Sequence, residues 1–213
     1  MKSHVSTLKV LLPPLSAYLG IAAYIALKAP LEVSTFLYSE SGPYEVFSTV
    51  LWLVLAGLVL LQSQLQLRVR LASSIAALLM CSRELDMHKA LFTMSFIKTN
   101  FYKSPDIPFH DKVAGGLALL VMIALLVYLA KRMLLFLRTQ ASSDTSAHLL
   151  VYSLALGAIS KILDRFSSQM HELFNIAVPA NARLAIVAME ESLELALPLL
   201  LILALLTYRR RLG

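Results

Sequence analysis

Six long blocks of apolar residues, separated by short polar segments, dominate the chain. A helix must carry roughly 20 mostly apolar residues to cross the ~30 Å hydrocarbon layer of a membrane, since it rises ~1.5 Å per residue. The pattern therefore predicts an all-α fold, a polytopic transmembrane helix bundle with about six spans. The predicted spans are residues 10–29, 44–62, 69–89, 113–131, 148–166 and 184–208.

The polar segment between the third and fourth predicted spans, residues 91–111, has a pattern of its own. Aromatic residues such as Phe96 and Phe101 alternate there with lysines such as Lys98 and Lys103. This combination is typical of the boundary between membrane and water. We therefore expect an interfacial or re-entrant segment at residues 91–111.

Composition supports the membrane interpretation. Of the 213 residues, 58% are hydrophobic and 15% are charged, whereas a soluble domain carries about 25% charged residues. Soluble-enzyme and nucleic-acid roles are therefore excluded, and membrane lipids are the expected surroundings. Cys81 is the single cysteine, which excludes an intramolecular disulfide and a cysteine-based metal cluster. No repeat or long linker divides the sequence, so residues 1–213 are predicted to form one transmembrane domain.

The charged residues are divided unequally between the two sides of the predicted bundle. The set of segments that includes both termini holds ten of the nineteen Lys and Arg residues but one acid, Asp144. Short loops rich in Lys and Arg stay in the cytoplasm, so both termini are predicted to be cytoplasmic. The other twelve acids lie toward the opposite side. We therefore expect an acidic site in the outer third of the bilayer, toward the periplasm or exterior.

The sixth predicted span carries the strongest functional signal. Glu190, Glu191 and Glu194 lie seven to eleven residues inside a segment that is otherwise almost entirely apolar. Helix capping acts on the first turn only and does not explain them. Because a charge at the bilayer centre costs about 2.5–3.5 kcal/mol, these carboxylates must be protonated, paired, bound to a cation or in contact with water. The alternative explanation is that this helix begins inside a water-filled vestibule.

The third predicted span ends in Arg83-Glu84-Leu85-Asp86-Met87-His88-Lys89. Glu84 and His88 are four residues apart, so they project from one helix face and can bind one divalent metal. Asp86 points nearly the opposite way. Carboxylate and imidazole ligands without thiolate suit Zn, Mn, Fe, Mg or Ca. The alternative is an ordinary helix end held by ion pairs.

The fifth predicted span ends in Lys161 and Arg165, which we assign to binding an anionic headgroup such as a phosphate. Lys161 is also three residues from Asp164, so a salt bridge on the same helix is an alternative role for it. Over the outer third as a whole, acids exceed bases by four formal charges. Two divalent cations, raised carboxylate pKa values or a cationic substrate would each compensate this excess. The acids are Glu40, Glu45, Glu84, Asp86, Asp164, Glu190, Glu191 and Glu194, and the bases are Arg83, Lys89, Lys161 and Arg165.

Three short motifs occur in order: Glu40-x-Gly42-Pro43-x-Glu45, Arg83-Glu84-x-Asp86-x-His88 and Glu190-Glu191-x-x-Glu194. In these motifs the chain resembles uncharacterised small bacterial multi-pass inner-membrane proteins. The resemblance implies a location in the bacterial inner (plasma) membrane and carries no activity. The chain also has a distant similarity to alkaline-ceramidase-like membrane hydrolases, which bind zinc through several histidines. Their multi-histidine pattern is missing here, because only His88, His110 and His171 lie on the acidic side.

Three functions remain open from the sequence. The first is a metal-dependent hydrolase or transferase acting on a lipid or lipid-linked substrate near the outer leaflet. The second is an ion- or proton-coupled transporter, although no polar ladder continues past the sixth-span glutamates toward the cytoplasm. The third is a non-catalytic assembly or sensor subunit, whose acidic pocket binds a basic helix of a membrane-protein partner. A homo-oligomer is the alternative to such a partner. In the first, the metal ligands are Glu84, His88, Glu190 and Glu194, and the general base is Glu191 or Asp86.

Overall fold

The computed structural model describes residues 2–39, 42–85, 87, 94, 96–140 and 144–212, and all regular structure in these ranges is α-helix. The all-α fold class is therefore confirmed. The helices are α1 (Lys2–Lys28), α2 (Leu31–Leu37), α3 (Pro43–Leu60), α4 (Leu67–Glu84), α5 (Thr99–Lys103), α6 (Phe109–Gln140), α7 (Thr145–Phe174) and α8 (Ala180–Leu212).

Each of the six predicted spans lies largely within one of the six long helices. Four of these helices are long and apolar enough to cross a membrane, and their apolar parts are Lys9–Lys28, Pro43–Leu60, Phe109–Thr139 and Thr145–Phe174. Such helices are typical of a membrane-embedded protein. The remaining two predicted spans correspond to α4 and α8, which carry charged residues in or near their apolar stretches.

The chain divides into two compact units, Met1–Leu51 with Gln140–Gly213 and Trp52–Thr139. In the first unit α8 packs along α7 and α1, and α1 also contacts α7 and α2. Gly157 of α7 lies at the α7–α8 contact, where an added Cβ would be 2.7 Å from Leu197 Cδ1. Small residues at such contacts let membrane helices approach closely. The buried side chains between these helices are Leu149, Leu156, Leu193, Ala196, Leu200 and Ala204.

Both ends of α7 are defined by local hydrogen bonds. At its start, the Asp144 carboxylate accepts a hydrogen bond of 2.9 Å from the Ser146 N–H, which is an N-cap. At its end, Asn175 adopts the left-handed conformation with φ 53°, and the Ile176 N–H donates to the Met170 carbonyl over 3.1 Å. This closure satisfies carbonyls of the last turn. The two caps set the limits of α7 and so the position of each charged residue along it.

The second unit contains the end of α3 with α4, α5 and α6. Ser74 Oγ of α4 donates a 2.9 Å hydrogen bond to the Ala56 carbonyl of α3. Phe101 of α5 is fully buried, and its ring lies against α6 so closely that a Cβ on Gly115 would be 2.8 Å away. The segment before α6 therefore folds onto α6. Residues 88–93 and 95 of the connection lie outside the described residues, and its interfacial location stays a prediction.

Candidate functional site

The side chain of Glu194, on α8, lies against α7. Lys161 Nζ is 2.9 Å from Glu194 Oε1, and Ser160 Oγ donates a 3.3 Å hydrogen bond to the same oxygen. The Glu194 side chain is 11% exposed, and Ser160 is buried. Because removing a carboxylate from water is costly unless it is paired and hydrogen-bonded, these two donors explain how α8 holds Glu194 inside an apolar stretch.

Lys161 contacts a second carboxylate on its own helix. Its Nζ is 3.2 Å from Asp164 Oδ2, which confirms the salt bridge expected from their three-residue spacing. The ammonium group therefore lies between carboxylates of two helices. The Lys161 and Asp164 side chains are 48% and 46% exposed, so the cluster is enclosed around Glu194 and open around Asp164.

Glu190 and Glu191 lie on α8 about one turn before Glu194, and both are half-buried. Glu190 and Glu194 share a helix face because they are four residues apart. Together with Asp164 they make four carboxylates, against the two cations Lys161 and Arg165 of α7. Counted over these six residues alone, α7 and α8 have a formal excess of two negative charges.

Two further features lie next to Glu194. Pro198 follows it by four residues within α8 and cannot donate the helical hydrogen bond to the Glu194 carbonyl, because proline has no N–H. On α1, Tyr18 packs against the apolar cluster that contains Leu193. Its buried hydroxyl lies beside the side-chain hydroxyls of Ser192 and Tyr44. Since buried hydroxyls are normally paired, the interior of the first unit is polar as well as apolar near this level.

The other predicted site residues belong to the second unit or lie outside the described residues. Glu84 of α4 is buried, and Arg83 Nη1 is 3.8 Å from its Oε1. Asp86 and His88 lie outside the described residues. Within the described ranges no three His, Cys, Asp or Glu side chains are close enough to hold a metal ion together. The metal-binding roles of Glu84 and His88 and the general-base role of Asp86 therefore stay predictions.

Ser160, and the pairing of Lys161 with α8, were not anticipated from the sequence. A signal was present, because Leu149, Leu156 and Ser160 recur at spacings of seven and four, which is one helix face. That face is buried against α8. Ser160 therefore had to point at the α7–α8 contact rather than at lipid.

No protein-family model, curated protein or solved structure matches the chain.

Proposed function

We propose that this protein is a multi-pass protein of a bacterial plasma membrane, with about six spans, cytoplasmic termini and an outward acidic site. Positive residues on the predicted cytoplasmic side support this topology, including Lys131 and Arg132 in the last third of α6 and Arg209 near the end of α8. A reporter fused after Arg211 is expected to be active only in the cytoplasm. Periplasmic activity of that reporter would reverse the topology and move the acidic site inside.

The depth of the charged cluster supports the same topology. Lys161 lies about 25 Å along α7 from the cap at Asp144, at ~1.5 Å per residue. Glu194 lies about 22 Å along α8 from Arg209 by the same measure. The two distances agree, as expected if Asp144 and Arg209 lie at the same membrane surface. In a hydrocarbon layer of ~30 Å, the cluster would therefore lie slightly inside the outer boundary.

We infer that the acidic face of α8 binds a divalent cation and uses it to act on a lipid or lipid-linked substrate, as a hydrolase or transferase. The observation that carries this proposal is the grouping of Glu190, Glu191 and Glu194 within five residues of α8, with the Glu194 carboxylate enclosed beside Lys161. Ionisable groups inside a bundle are functional candidates by default, because they are expensive to keep there.

Each charged residue of α7 and α8 would have a separate role in this reaction. Glu190 and Glu194 would hold the metal, Glu191 would accept a proton from the attacking group, and Arg165 with Lys161 would bind a substrate phosphate. Magnesium is the best fit among the candidate metals. It is usually held by one or two carboxylates together with substrate phosphates, rather than by a closed set of protein ligands. Glu190 and Glu194, four residues apart on α8, would supply the two carboxylates.

Metal analysis of the purified full-length chain tests the proposal. Bound Mn²⁺, used as a spectroscopic substitute for Mg²⁺, is expected at about one ion per chain. Glu190→Gln and Glu194→Gln should each weaken its binding at least about tenfold, the effect of losing one charged ligand. Glu172→Gln, at the exposed end of α7, is the matched control and should bind like the wild type. Wild-type protein that binds no divalent cation under titration would contradict the proposal.

A second candidate, an ion- or proton-coupled carrier, is favoured by one observation. Pro198 interrupts the hydrogen bonding of α8 one turn from the Lys161–Glu194 pair, and carriers place ion sites at interrupted helices. Reconstituted vesicles separate the two functions. Cation or proton flux that is abolished by Glu194→Gln, with unchanged lipid headgroups, supports the carrier. A changed headgroup without flux supports the enzyme.

A further inference from the structure

A cavity of about 540 Å³, here called the outer groove, lies between the end of α1, α2 and the beginning of α8. Ligand pockets commonly have volumes of this order. Most of its lining is apolar and includes Leu27, Leu31 and Leu184, while Asn181 and Arg183 are its polar members. An apolar wall with a single cationic side chain suits an amphipathic anion.

The wall formed by α2 is fixed to α1 by two hydrogen bonds. Ser34 Oγ donates to the Ile25 carbonyl over 3.2 Å, and the Tyr38 hydroxyl donates to the Ala22 carbonyl over 3.2 Å. Burial, with a smaller contribution from Tyr44, raises the pKa of Tyr38, so this hydroxyl stays a donor well into alkaline pH. The outer groove is therefore a formed part of the fold and not a gap beside a loose loop.

Arg183 lies where helix stability would not favour it. It is exposed in the first turn of α8, which contains no acidic residue. A cation near a helix N-terminus is opposed by the positive end of the helix dipole. No carboxylate among the described residues forms an ion pair with Arg183. An external anion would remove both unfavourable conditions.

We propose that the outer groove binds the headgroup of an anionic glycerophospholipid from the surrounding bilayer. Arg183 would contact the phosphate, since a guanidinium matches phosphate oxygens in a two-point contact. The acyl chains would run along the exposed side chains of Leu27 and Leu31 at the end of the α1 span. This lipid site is separate from the carboxylates of α8 and does not depend on their binding a metal.

The test uses the full chain reconstituted in vesicles of equal parts phosphatidylglycerol and phosphatidylcholine. After extraction in detergent, mass spectrometry measures the ratio of the two lipids retained per protein. Wild-type protein is expected to retain phosphatidylglycerol in clear excess. Arg183→Gln should lower that excess about tenfold, the loss expected for one charged hydrogen-bonded contact. Arg183→Lys should keep part of it, and Ala180→Trp, at an exposed lining position, should displace the lipid.

Lys98→Gln is the matched control, because it removes an exposed cation on the same predicted side without lining the outer groove. It should retain lipid like the wild type. Equal retention of both lipids by the wild type, or an unchanged excess in Arg183→Gln, would overturn the proposal. Divalent-cation binding, measured on the same preparations, reports on the α8 carboxylates, so failure of one site is distinguishable from failure of the other.

Discussion

Two helices have nearly equal lengths, 32 residues in α6 and 33 in α8, but they differ in how far their side chains are buried. The apolar part of α6 has the highest mean hydropathy of the candidate spans, 2.6, yet 6% of it is buried. Leu120, near its middle, is 64% exposed. In α8, which carries three glutamates, Leu193 is 1% exposed. The more apolar helix is thus the less enclosed one.

This reverses the rule for soluble proteins, in which the most apolar segments are the most buried. The reversal is expected if lipid surrounds α6 and protein surrounds much of α8. Lipid tails solvate leucine as well as a protein core does, so exposure of α6 costs nothing in a bilayer. Polar groups need partners there, and α8 obtains one for Glu194 from α7. Function is therefore expected on the less apolar helix.

The largest effect is expected from truncating the same side chain in the two helices. Leu193→Ala in α8 leaves a cavity among packed side chains and should lower the free energy of unfolding by about 3 kcal/mol. Leu120→Ala in α6 removes a side chain that lipid can replace and should cost less than about 1 kcal/mol. Unfolding in one detergent, followed by helical signal, measures both. Equal losses would mean that α6 is packed against protein.

The next effect concerns the charged pair. Lys161→Met leaves the enclosed Glu194 carboxylate without its ammonium partner and should cost about 2 kcal/mol, below the ~3–5 kcal/mol of fully buried pairs because Lys161 is half-exposed. Lys161→Met/Glu194→Leu removes both charges and should recover most of the loss. The four members of the double-mutant cycle give the coupling directly. Additive losses would show that the two charges do not interact.

A smaller effect is expected where α7 and α8 approach closely. Gly157→Val drives new atoms into Leu197, whereas Gly20→Val in α1 enters open space. Both changes alter helix propensity equally, so their difference reports packing. That difference should be about 1 kcal/mol in the free energy of unfolding, the lower end of the usual cost of overpacking, because Leu197 Cδ1 is the end of a flexible side chain. If Gly20→Val is as costly, the two positions do not differ in packing, and the close contact of Gly157 with Leu197 is wrong.

The long helices were predictable because a bilayer demands apolar runs of set length, and those runs are visible in the sequence. The short helix α2 was not, since seven residues form a stable helix only through contacts such as those of Ser34 and Tyr38 with α1. In the candidate site, too, the contact within one helix was predictable and the contact between helices was not. The Lys161–Asp164 pair is local and was predicted from spacing. The Lys161–Glu194 pair depends on how α7 and α8 pack, which no single segment encodes.

The smallest effect is expected at Asp164, the second partner of Lys161. Its side chain and the Lys161 chain are both about half-exposed, and pairs of this kind on one helix contribute about 0.5 kcal/mol or less. Asp164→Asn should therefore change the free energy of unfolding by no more than that, and added salt should erase the change. Comparing this loss with the loss caused by Lys161→Met then shows which carboxylate is the main partner of the Lys161 ammonium group. If Asp164→Asn costs as much as Lys161→Met, Asp164 is the partner that holds Lys161. If Asp164→Asn costs little, Glu194 is the main partner of Lys161, and the enclosed carboxylate of α8 is stabilised by α7.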